Sequence, residues 1–103
     1  MMFVVERRIT AVSTADLAML QEALIFVSDR LTSRGEPVRC LGSTFLPAQG
    51  RLLTLFEAES AEAVRSVNEN VHAPFVSLEA AISLPAPESY GNRWLTDEAG
   101  PAS

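Results

Sequence analysis

Few side chains in this chain could do chemistry. Glu6 stands two residues from Arg8 in one apolar-rich stretch, and Arg39 lies in a second. A carboxylate beside a guanidinium on a partly apolar surface can orient a small polar ligand, or shift the carboxylate toward acid–base duty. The plainer role for the same set is a structural ion pair that fixes the register of a subunit interface. His72 is the only histidine and stands two residues before Pro74, where a helix must end. A cap or a surface position is expected of it. Cys40 is the only cysteine, so no internal disulfide can form, and as a nucleophile it would need a neighbouring base and access to substrate. One histidine, one cysteine and scattered carboxylates fall short of the three or four ligands a metal site uses, so no metal ligand is assigned. Ser43 and Thr44 lack a Gly-x-Ser-x-Gly setting, and the five glycines form no phosphate or dinucleotide loop. No cofactor is called for.

Composition narrows the field further. All eight basic residues are arginine, which excludes Schiff-base and lysine general-base chemistry. A net charge of −5 argues against a nucleic-acid partner, whose phosphates need a basic face. No apolar run approaches the ~20 residues that span a bilayer, so no membrane partner is expected. Glu6, Arg7 and Arg8 interrupt the start of the chain where a signal peptide would be apolar. With a lone cysteine, a cytoplasmic protein is the simple expectation.

These side chains must be positioned by 103 residues, enough for one domain. Residues 2–9 read as a strand. Ser13 and Asp16 form a capping-box pattern ahead of Leu17, Leu20, Leu24, Val27 and Leu31, which recur at helical steps, with Ile25 and Phe26 broadening the apolar side. Gly35 and Pro37 end that helix. Residues 37–46 and 51–58 flank a short loop as a β-hairpin. Ser60 caps a shorter helix with Val64, Val67 and Val71 on one side, and residues 75–84 form a last strand. The domain is expected over 1–84. Residues 85–103 read as a Pro-, Gly- and acid-rich tail whose Tyr90, Trp94 and Leu95 are expected to dock on a partner subunit or across a cavity mouth.

The order β-α-β-β-α-β predicts an α+β, ferredoxin-like antiparallel sheet with both helices on one face. Across the hairpin, Phe45 is expected opposite Leu52, Ser43 opposite Thr54 and Leu41 opposite Phe56. Side-chain alternation then sends Phe3, Val5, Val38, Cys40, Gly42, Thr44, Leu53, Leu55, Val76, Leu78, Ala80 and Ile82 to the helices. Cys40 thereby becomes a small buried hydrophobe, and Arg7, on the helix side at the strand end, is expected to snorkel to solvent. The other face is expected to carry Val4, Glu6, Arg39, Leu41, Phe45, Leu52, Thr54, Phe56 and Glu79. Its large apolar groups would each forgo roughly 1.5 kcal/mol or more in water. A second copy laid across this face relieves that cost and closes a dimeric α+β barrel. A one-residue slip at a bulge would exchange the two lists.

The words VVER (4–7), PVRCLGSTFLP (37–47), RLLTLFEAESAEAVRSVNE (51–69) and APF (73–75) resemble the small bacterial proteins of domain-of-unknown-function family 4242, over about residues 2–84. The resemblance implies a ferredoxin-like fold that dimerises through its sheets. One branch is similar to nickel-binding proteins that use histidines on the first strand and a cysteine on the third. Here those positions hold Glu6 and Arg7, and Leu52 and Thr54, so the nickel site is not carried over. Glu57 and Asn68 lie in the family-like words FEA and VNE. Glu57 is expected to pair with an arginine at a strand edge, and Asn68 to hold the turn after the second helix.

The first functional reading is a homodimeric binding protein holding a small molecule or ion between its sheets, lined by Glu6, Arg39, Phe45, Thr54 and Phe56. The second is a cofactor-independent oxygenase or isomerase of the dimeric α+β barrel type, by fold analogy. The third is a structural interaction module with a filled interface.

Overall fold

A computed structural model describes residues 1–10, 12–82 and 84. The expected dockings of Tyr90, Trp94 and Leu95 lie outside them. The elements run β1 (Met2–Arg8), α1 (Thr14–Ser33), β2 (Val38–Leu46), β3 (Arg51–Ala58), α2 (Ala61–Asn70) and β4 (Ser77–Ala81). They build an antiparallel sheet of order β2-β3-β1-β4, with the helices against one face. This is the expected ferredoxin-like α+β arrangement.

Local chemistry sets the element ends. Ser13 accepts from the Asp16 amide while Asp16 reaches back to the Ser13 amide, a complete capping box at the start of α1. Ser60 caps α2 by accepting from the Ala63 amide. Gly35 takes φ 94° just beyond α1, a conformation that costs a residue without Cβ little. Only Ser77–Ala81 of the expected last strand pairs with β1.

The core lies between sheet and helices. Phe3, Val5, Val38, Phe56 and Ala58 of the sheet meet Leu24, Leu31, Val64 and Val67 of the helices, with Cys40 and Leu78 packed alongside. On α1, Ile25 and Phe26 are not part of it. They are 41% and 62% exposed, and Arg30 lies over the Phe26 ring at 5.8 Å.

The two faces differ from expectation in a specific way. β1 sorts as expected, with Phe3 and Val5 inward, and so does the start of β2, with Val38 and Cys40 on the helix side and Arg39 outward. Between Cys40 and Gly42 the β2–β3 register shifts at a bulge, so Cys40 rather than Leu41 pairs with Phe56. Past the bulge the alternation inverts. The pairs Phe45↔Leu52 and Ser43↔Thr54 form as expected, but they lie on the helix side, where Leu52, Thr54 and Phe56 are buried. Leu53 and Leu55, with Thr44 and Gly42 opposite them, turn to the outer face. Val76 and Ile82, expected inward, are 60% and 88% exposed. Among the described residues no helix is long and apolar enough to cross a membrane.

Candidate functional site

The outer face of the sheet holds the charged candidates. Glu6 accepts from Arg51 at both carboxylate oxygens, Nε at 2.9 Å and Nη2 at 3.2 Å, and its Oε2 lies 3.4 Å from Arg8 Nε. This fork-to-fork contact is the geometry in which arginine binds a carboxylate best. The hydrogen bond from Arg51, aided by the charges of Arg51 and Arg8, holds the Glu6 carboxyl below the usual range, while partial burial opposes them. Glu6 is therefore an anion locked by two cations, a poor general base and a good anchor. Arg39 is expected beside it but instead pairs across the strands with Glu57, Nη2 to Oε1 at 3.0 Å. The expected edge partner of Glu57 is thus Arg39.

Between these two ion pairs runs an apolar strip. Val4, Leu41, Leu53 and Leu55, with Gly42, Ser43, Thr44 and Thr54, line an open recess of about 450 Å³ on the outer face. Leu41 alone is 40% exposed. Leu53 and Leu55 take the places expected for Phe45 and Phe56, which face the helices, while Thr54 borders the recess with its side chain buried.

Those three residues have different surroundings. Phe56 is fully buried in the core. Thr54, also fully buried, shares a hydroxyl–hydroxyl hydrogen bond of 2.8 Å with Ser43, and Ser43 in turn donates to Gln21 Oε1. Gln21 Nε2 reaches the Cys40 sulfur at 3.5 Å, completing a polar seam between α1 and the hairpin. Burial pushes the Cys40 thiol up, outweighing the opposing effects of the Gly42 amide, Gln21 and Arg7. Such a thiol is a poor nucleophile at neutral pH. Phe45 is half-buried in a cleft of about 360 Å³ beneath α1, with Leu17, Gln21 and Leu52.

Arg7 lies on the helix side, but it does not reach solvent as expected. It is 1% exposed, beneath the helices, where Nη2 donates to Asn68 Oδ1 at 2.6 Å and to the Ala73 carbonyl at 3.2 Å. Its guanidinium also lies 6.0 Å from the Phe75 ring. Among the described residues no carboxylate pairs with it, and Nε and Nη1 have no partner. Desolvation lowers its pKa from the ordinary arginine value. Asn68 holds the turn after α2, as expected, and does so through Arg7.

His72 is exposed just past α2 with φ 57°, a left-handed position that ends the helix. Among the described residues no group of three or more His, Cys, Asp or Glu could hold a metal ion.

No protein-family model and no curated protein matches the chain. The chain is similar in structure to the crystal structure of SCO4226 from Streptomyces coelicolor A3(2). The TM-score is 0.69 at 24% identity, over 84% of this chain and 100% of that one. At that identity the likeness shows a shared fold.

Proposed function

We propose that this is a bacterial, cytoplasmic member of domain-of-unknown-function family 4242 that works as a homodimer, binding a small molecule or ion between two apposed sheets. One observation carries the reading: the helices shield one face of the sheet, and the other keeps a strip of Val4, Leu41, Leu53 and Leu55 between two ion pairs. Apposed across a two-fold axis, the strips supply apolar walls. The Glu6–Arg51–Arg8 cluster and Arg39–Glu57 supply charged rims. A ligand with an apolar body and a polar end suits such walls, with Glu6 and Arg39 orienting the polar end. Of the earlier candidates, Phe45 and Phe56 leave the lining because they face the helices, and Thr54 stays at its border.

Native mass spectrometry of freshly purified protein tests both parts together. The expected result is a dimer at low micromolar concentration carrying a retained mass that Leu53→Asp abolishes. A folded monomer at that concentration would sink the reading.

A further inference from the structure

The outer face of the sheet is unevenly charged along its strands. At one end Arg8 and Arg51 are direct cross-strand partners on that face, an arrangement in which like charges repel. Among the described residues Glu6 is the one carboxylate paired with either, and Arg51 takes both its oxygens. Two guanidiniums against one carboxylate leave this end with an excess of positive charge. At the other end Arg39 and Glu57 cancel. Glu79, opposite Val4 on β4, adds negative charge to the flank. The chain as a whole carries −5, so the Arg8 end reverses the sign of the molecule on the face that the helices leave open.

Arg8 is the group with capacity to spare. Its side chain is 64% exposed, it touches Glu6 only through Nε at 3.4 Å, and among the described residues neither of its Nη groups has a partner. Arg51, by contrast, is spent on Glu6 and on Gln49, to which Nη1 donates at 3.0 Å. Among the described residues, no charged one lines the apolar recess. An ion held wholly inside it would lose its hydration and gain no counter-ion. A charged ligand must therefore keep its body in the recess and its charge at the rim. Val4, Glu6 and Arg8 share the outer side of β1, and the four residues from Val4 to Arg8 span ~13 Å of strand.

We propose that the ligand of this face is an amphipathic anion, an apolar acyl or aromatic body ending in a carboxylate, with the body on Leu53 and Leu55 and the carboxylate on Arg8. The inference rests on the sheet-face site proposed above and fixes the sign of the ligand's polar end. Glu6 orients that end indirectly, by holding the arginines. The carboxylate supplies the second negative charge that the Arg8–Arg51 pair lacks, and its two oxygens match the two unpartnered Nη groups of Arg8. A cationic end would meet repulsion at Arg8, and a neutral one would leave the excess charge uncompensated.

Calorimetric titration of the full chain with three probes sharing one alkyl body tests this: decanoate, decanol and decyltrimethylammonium. Decanoate is expected to bind about tenfold more tightly than decanol, and the cation more weakly than either. Arg8→Gln should weaken decanoate about tenfold and leave decanol unchanged, whereas Leu53→Asp should abolish the binding of both. Added salt should weaken decanoate alone. Arg8 is exposed, so circular dichroism should show an unchanged fold in Arg8→Gln. If decanoate and decanol bind equally, or if Arg8→Gln alters neither, the assignment of charge fails while the apolar site stands. A dimeric natural chain that binds none of the three overturns this inference and leaves the pairing of sheets intact. A folded monomer that binds none removes both readings together.

Discussion

Arg7 Nη2 donates to Asn68 Oδ1 across 2.6 Å and so ties the first strand to the second helix inside the core. Asn68 completes the tie by donating to the Val64 carbonyl at 2.7 Å. A buried guanidinium with few partners depends heavily on each one. Asn68→Ala should therefore destabilise the fold by about 3 kcal/mol, more than loss of an ordinary hydrogen bond. In a double-mutant cycle with Arg7→Met, urea unfolding should give a coupling of about 1.5–3 kcal/mol. Additive effects would mean that the contact contributes nothing.

Glu6 makes stability depend on acid. Arg51 lowers its folded pKa from 4.5, so the folded state binds this proton less readily than the unfolded chain. The stabilisation is fully present above the ordinary carboxylate range and is lost as pH falls through the depressed folded value. Melting temperatures between pH 7 and pH 3 should therefore drop more steeply for the natural chain than for Glu6→Gln. Parallel curves would show that the ion pair is immaterial.

The inverted faces give opposite outcomes for neighbouring residues. Phe56→Ala should cost the protomer about 3–5 kcal/mol, since it empties a fully buried site. Leu55→Ala should cost the protomer far less and act mainly on self-association. Urea melts combined with sedimentation separate the two effects, and equal losses of protomer stability would contradict the assignment of faces.

The raised Cys40 thiol should be slow toward a disulfide reagent at pH 8 and become fast in urea. Time courses with and without denaturant measure the ratio. Comparable rates would place the sulfur in open solvent rather than between Gln21 and the core.

Much of the architecture was legible in the residues. Ser13 with Asp16, Ser60, and the hairpin pairs Phe45↔Leu52 and Ser43↔Thr54 all sit where local chemistry puts them. Within the hairpin the face assignment failed at one point. Gly42 has φ 146° within a strand, and a glycine inside a strand pattern is the usual trace of a bulge. Reading straight through it carried the correct parity of Val38 and Cys40 into the wrong half of the hairpin, and Leu53 and Leu55 were apolar enough to hide the error. Arg7 was misread for another reason. Its charge suggested solvent, while its place in the alternation Phe3, Val5, Arg7 pointed inward.

The extra residue in β2 adds a side chain to the outer face without disturbing its neighbours. Because Cys40 and Gly42 already hold consecutive partners in Phe56 and Leu55, a one-codon deletion of Leu41 would straighten the ladder and leave every other side chain on its present face. What the deletion would remove is one exposed apolar group from the recess. The irregularity therefore serves the surface of the sheet and not its core.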